Sequence, residues 1–441
     1  MKKNKYSLFT TIGMIVGIVI GSGIFFKSDN ILVATNGSIS LGVLIFCIAA
    51  IGIIFGGLSV AELASRTDKS GGIIAYAEEY CHKSIACAFG WFSSLLYFPT
   101  LIAIVSWVSG IYLCQLFGIN STLELQVIIG LAVLIILFLI NIISIKLGGY
   151  VQNASTVIKI IPLIFIAITG LIYGDSSNFV MTDVTNMQSF GWIAAIAPIA
   201  FSFDGWIVST SISNEIKNPK KNLPIALIIA PIFILVIYLA YFIGISIYVG
   251  PEKIMALGDA HVSFAANQLL GHFGSKIILI FVNISVLGTL NGLILGSIRM
   301  PHSLAERSMI PKSNIFTPVN DKLGLNIPSA ILSGIIGLFW LGVHYITQKY
   351  NILTNSDVSE IAVIFSYVLY IILYIQVIKL FKKGEIKSAV KGIFNPCMAI
   401  IGSLIVLVGS ISNPLLIWYL LILIIIVVSS IIFYKKNTLN K

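Results

Sequence analysis

Apolar runs of about twenty residues, parted by short polar stretches, recur along the whole chain. They predict twelve helical spans near 8–35, 40–65, 84–116, 123–145, 150–173, 190–213, 223–249, 274–302, 327–346, 357–381, 394–411 and 414–434. A bilayer core selects helices of about 20 apolar residues because each backbone polar group must be satisfied within its own segment. The longest connections are 174–189, 250–273 and 303–326, too short to divide the chain, so 1–441 reads as a single membrane domain. After Gly71-Gly72, the segment Ile73 to Lys83 mixes Tyr76, Glu78, Glu79 and Tyr80 with apolar positions, the pattern of a short helix on the cytoplasmic surface. The first span follows directly on Met1-Lys-Lys-Asn-Lys5 with no small-residue cleavage site behind it, so it reads as retained rather than removed.

Composition removes other classes. With 58% hydrophobic and 10% charged residues and a mean hydropathy of +1.01, the chain cannot assemble a water-soluble shell, and its solvent is lipid. The net charge of +10 does not point to nucleic acid, because the cations sort by loop. With a cytoplasmic N-terminus, 22 of the 27 Lys and Arg fall on the inner side, and only Lys27, Lys253, Lys276 and Lys349 fall outside. This asymmetry supports the span count, puts both termini in the cytoplasm, and suits a cell membrane. Cys47, Cys81, Cys87, Cys114 and Cys397 have no metal or redox spacing and read as small apolar fillers, so no cofactor or metal is implied. An intramembrane enzyme would need paired catalytic groups. Yet there is no His-Glu-x-x-His or Gly-x-Gly-Asp, and His82, His261, His272, His302 and His344 are scattered near loops and span ends. No ring-forming repeat suggests a channel filter either.

Two spans carry helix-breaking chemistry inside an apolar run. Span 1 holds Ile20-Gly-Ser-Gly-Ile-Phe25, and span 6 holds Pro198 followed by Phe201-Ser-Phe-Asp-Gly-Trp206. Glycine costs about 1 kcal/mol in a helix interior, and an Asp near the bilayer centre costs about 2.5 kcal/mol or more. An unwound helix exposes amides that bind an anion and carbonyls that bind a cation, and a zwitterionic amino acid needs both. Spans 1 and 6 are five apart, so the breaks occupy matching places in two five-span units; an odd number inverts the second unit. The repeats then cover about 8–173 and 190–381, with extra helices at 394–434. Small residues also serve plain helix packing, the competing reading of Gly21 and Gly23. Asp204 can cap the second half of span 6, accepting from amides just beyond Gly205, or meet a substrate amino group directly.

Lys159, in Ser155-Thr-Val-Ile-Lys-Ile-Ile-Pro162, lies too deep to be assumed to snorkel and must find carbonyls or hydroxyls inside the bundle. It is either a fixed cation tying helices together or a group that carries a proton. Glu62 sits at the inner end of span 2 as a solvated or paired residue, with Arg299 of span 8 a candidate partner. Asn120-Ser-Thr122 matches a glycosylation acceptor on the outer side.

These motifs, together with Asn214-Glu-Ile-Lys-Asn-Pro-Lys-Lys-Asn-Leu-Pro224 and Leu290-Asn-Gly292 with a following Arg299, resemble the amino acid-polyamine-organocation superfamily, most closely its bacterial L-amino acid transporter branch. The motifs cover spans 1 to 8 in order; spans 9 to 12 match in hydropathy alone. The resemblance implies an all-α LeuT-type fold and sodium-independent exchange of small neutral L-amino acids, with proton-coupled uptake through Lys159 as the alternative. It implies that the substrate carboxylate meets the amides of Gly21, Ser22 and Gly23 and its amino group the carbonyls of Phe201, Ser202 and Asp204, with Ile24 and Gly205 also among the substrate-binding residues. Phe201 would cover the substrate from outside. Lys159 would stand where sodium-coupled relatives hold an ion, with Ser285, Thr289 and Asn291 of span 8 as coupling or structural neighbours. Animal members of the family link to a heavy chain through a cysteine between spans 3 and 4, but Gly118 to Glu124 contains none, so no heavy-chain subunit is expected.

Overall fold

The computed structural model describes residues 6–21, 23–67, 69, 72–143, 158–179, 190–207, 216–320, 323–353, 356–411 and 416–439. Among these the chain is helical, with two isolated β-bridges, Tyr6 to Ile216 and Asn320 to Leu325, in place of any sheet. The protein is an all-α membrane protein. Ten described helices are long and apolar enough to cross a bilayer, the first counted through its break from Leu8 to Phe26. Two shorter apolar helices, Ile160–Tyr173 and Trp192–Ser202, stand where spans 5 and 6 are expected and border residues outside the description. The start of span 5 and the second half of span 6 lie among those residues, as does Ser22.

Helix starts follow local chemistry. Ser7 accepts from the Thr10 amide to open span 1, Ser38 from the Leu41 amide to open span 2 (Ile39–Ala64), and Asn326 from the Ser329 amide to open span 9 (Ile327–Lys349). Asp357 does the same for span 10 (Val358–Lys382), accepting from the Ser359 amide at 2.8 Å. Span 8 differs from its expected start at 274. Helix begins at His261 and turns at Gly271, whose φ of 66° belongs to the left-handed region, so an outer-loop helix runs directly into the span that ends at Glu306. The helix expected near 73–83 spans Ile73–Tyr80 and is anchored by buried Ile74, Ala75, Tyr76 and Ala77.

Packing is that of a protein dissolved in lipid. Ile128, Ile136 and Leu139 of span 4 and Phe339 of span 9 point outward, while Thr11, Asn141, Lys159, Ser285 and Asn291 are buried. Close backbone contacts use the smallest residue. A Cβ at Gly170 of span 5 would lie 2.4 Å from the Gly244 carbonyl oxygen of span 7 (Pro219–Val249), and one at Gly402 of span 11 would lie 2.7 Å from the Gly52 Cα of span 2. Apolar area gives helices no reason to associate in lipid, so such contacts and interhelical polar bonds hold the bundle together.

Candidate functional site

The glycines of span 1 interrupt the helix where they were expected to. Its first part ends at Val19, and helix resumes at Gly23–Phe26 and continues as Ser28–Ala34. The first amides of the resumed helix have no carbonyl one turn earlier within it. Span 6 answers with a helix over Ile196–Ser202 that gives way to a turn through Gly205, where φ is 95°. The breaks touch, since a Cβ at Gly23 would stand 2.9 Å from the Ser202 Cα and 3.0 Å from the Phe201 ring. Glycine is what allows the two backbones to meet. Tyr238 of span 7 joins them, its hydroxyl lying 2.9 Å from the Ser202 carbonyl and 3.2 Å from that of Val19.

A cavity of about 140 Å³ opens beside this junction, lined by Gly21, Gly23, Lys159, Phe201, Ser202, Asp204, Gly205 and Thr289. Spans 3 (Lys83–Phe117) and 8 supply most of its apolar wall through Phe98, Leu101, Val105 and Leu293, with Gly292 and Gly296 leaving room between them. The cavity continues along Gly292 and Gly296 toward the end of span 8 that carries Arg299.

The opposite end is closed. Phe201 packs edge-on against Phe26 with ring centroids 5.5 Å apart, and the Lys27 ammonium lies 5.3 Å from both ring centres. Lys27 is 1% exposed; its ammonium bonds Asp357 at 2.7 Å and also Glu360. This corrects the reading of Lys27 as a loop cation, because the outer part of span 1 carries it into the bundle. Its two acidic partners were not recognised, since Asp357 and Glu360 read as ordinary residues of a helix start.

Inside the cavity, the Lys159 ammonium donates to the Gly17 carbonyl at 2.7 Å, tying span 5 to the first half of span 1. Thr289 stands against Gly21, its Oγ1 2.8 Å from where a Cβ would be, and donates to the Ser285 carbonyl at 3.0 Å. Ser285 and Ile24 are buried but do not line the cavity, and Asn291 accepts from Asn141 of span 4 at 2.8 Å, away from it. Asp204 accepts from the amide of Gly205, the next residue, and from the Tyr97 hydroxyl. Tyr97 is placed by a single π-helical turn, Ser93–Tyr97, in the middle of span 3. Such turns swing a side chain off the regular helical face, and sequence periodicity does not reveal them. At the inner end of span 2, Glu62 pairs with Arg66 at 2.5 Å and Lys391 at 3.2 Å, rather than with Arg299.

A multi-pass helical protein with two interrupted spans meeting at a partly polar cavity closed at one end is built as a solute carrier. This chain belongs to the amino acid permease family, which it matches over residues 6–437. It is 30% identical to the serine/threonine exchanger SteT of Bacillus subtilis over 411 residues, 92% of this chain and 90% of that protein. It is 27% identical to the mouse b(0,+)-type amino acid transporter 1, covering 93% of this chain and 84% of that one, and 26% identical to the human cystine/glutamate transporter, covering 75% and 66%. The protein is an amino acid transporter of the membrane, not an enzyme.

Proposed function

We propose that the protein exchanges small neutral L-amino acids across the cell membrane by alternating access, without sodium, with both termini in the cytoplasm. The observation that carries this reading is the cavity where the two breaks meet, about 140 Å³ in volume and lined by Gly21 and Gly23 of one break and by Ser202, Asp204 and Gly205 of the other. A zwitterion finds partners for both its charges there, and the apolar wall from spans 3 and 8 meets its side chain. The likeness to a serine/threonine exchanger supports exchange and small neutral substrates. Lys159 supports sodium independence, because an ammonium held by the Gly17 carbonyl is a cation already built into the bundle.

On this reading the two five-span units move against each other as inverted repeats, and the Phe26–Phe201 pair with the Lys27 triad forms the closed outer gate. Loss of substrate to the inside then runs along Gly292 and Gly296. The chain works without a heavy-chain subunit. The alternative is proton symport through Lys159, whose ammonium lines the cavity and bonds a neutral carbonyl, that of Gly17.

Uptake of labelled amino acids into proteoliposomes tests these readings. At equal pH on the two sides, concentrative uptake should require internal amino acid and ignore a sodium gradient. Concentrative uptake driven by outside acid with no internal substrate, and lost in Lys159→Ala, would replace exchange by symport.

A further inference from the structure

Asp204 and Lys159 are the two ionic side chains that line the cavity, and neither forms an ion pair among the described residues. Lys27, a third deep charge near the site, has two carboxylates. The groups that meet Asp204 are the Tyr97 hydroxyl from span 3, the Gly205 amide of its own turn, and, within electrostatic reach from span 10, Tyr367 and Tyr370. The cavity's ammonium, Lys159, is bonded to Gly17 instead. Hydrogen bonds from neutral donors satisfy the oxygens but do not neutralise the charge, and an unpaired carboxylate at the depth of the span 6 break is strongly disfavoured. Two things can neutralise it there: a proton, or the ammonium group of an amino acid.

We propose that Asp204 trades a proton for the substrate's ammonium, which gives the carrier a second activity as an amino acid/proton antiporter when no amino acid waits on the far side. This rests on the cavity being the amino acid site. The exchange balances: the carboxylic acid of the empty site loses its proton to water on the side the substrate comes from, and the carboxylate pairs with the incoming –NH3⁺. An empty carrier with a bare carboxylate stays trapped until another amino acid or a proton arrives. Exchange is then the default, and net movement needs a proton returning the other way. The sign is opposite to symport through Lys159.

The test uses proteoliposomes with the membrane potential clamped at zero by potassium and valinomycin, no internal amino acid, and labelled L-serine outside. An interior one pH unit more acid than the exterior should drive accumulation up to about tenfold, and an exterior acid by the same amount should not. Purified protein in weak buffer with a pH indicator should release close to one proton per L-serine bound at some pH between 5 and 8. Asp204→Asn should release none while labelled L-serine binding is followed in parallel, and Tyr97→Phe should move the pH at which release occurs. If Asp204→Asn does not fold, the wild-type gradient and proton-release measurements still decide the matter. Exchange of L-serine at equal pH with no effect of inside acid overturns the proposal and leaves exchange standing, whereas accumulation driven by outside acid overturns it in favour of symport. Failure to exchange L-serine or any other common amino acid overturns the reading of the cavity itself, and this proposal with it.

Discussion

The two ends of this carrier, outer and inner on the proposed topology, hold their deepest charges in different ways. Outside, Lys27, Asp357 and Glu360 form one triad with side chains only 1% to 3% exposed, pressed on the Phe26–Phe201 pair. Inside, the ion pairs are spread and more exposed. Lys69 to Glu79 is 48% and 40% exposed, Lys391 reaches Glu62 while itself 53% exposed, and Arg307 holds Glu78 at 3.1 Å. Exposed pairs contribute about 0–1 kcal/mol each, whereas removing one member of a buried pair costs about 3–5 kcal/mol because its partner is left charged and alone. On the proposed reading the outer triad works as a single latch that closes or opens as a unit, and the inner rim as a set of separable contacts.

The hardest blow to that contrast is Lys27→Met, which strands two buried carboxylates. It should lower stability by about 3–5 kcal/mol, read as loss of thermal stability in detergent, while the triple replacement Lys27→Met with Asp357→Asn and Glu360→Gln should recover most of the loss. A single variant as stable as wild type would mean that the triad is hydrated and the contrast false. Next comes Phe201→Ala, which removes the ring over the cavity but no charge. Apparent substrate affinity should weaken about tenfold with little change in expression, and unchanged kinetics would place the gate elsewhere. Lys159→Ala separates latch from cycle, since it breaks a bond to Gly17 without touching the outer triad. Exchange should slow severalfold while substrate binding persists, and a purified variant that no longer binds would make Lys159 part of the binding site. The smallest change is Lys69→Ala at the inner rim, which should stay within about 1 kcal/mol of wild type in thermal stability, with transport close to normal.

The same contrast marks how much the sequence discloses. Span positions were legible because hydropathy is a sum over twenty residues, and Leu123–Ile143 and Val358–Lys382 fall where their apolar runs put them. The breaks were legible because Gly21, Gly23 and Asp204 are expensive in an apolar helix and need a reason to be there. The latch was not. Asp357 opens a helix with Glu360 three residues on, the spacing of an ordinary helix start, and the bond to Lys27 crosses 330 positions. Tyr97 and Tyr238 were missed for a related reason, since a tyrosine in an apolar span is unremarkable until the fold aims its hydroxyl at Asp204 or at the carbonyls of Val19 and Ser202. Arg299 and Glu62 both lie at inner span ends in the sequence reading, but Arg66, one turn on, and Lys391 hold the carboxylate instead.

The central claim is that an amino acid binds where the breaks of spans 1 and 6 meet, and Gly23 is the point where that claim is most exposed. Any Cβ there runs into the Ser202 backbone at 2.9 Å, so Gly23→Leu must force the breaks apart or fill the space between them. Equilibrium binding of labelled L-serine to purified wild type and Gly23→Leu, each shown to be monodisperse and of comparable thermal stability, is the most direct measurement. The account expects saturable binding in the wild type and at least a hundredfold loss, about 2.7 kcal/mol, in the variant. Equal affinity in the two proteins would contradict it and move the substrate site away from the junction.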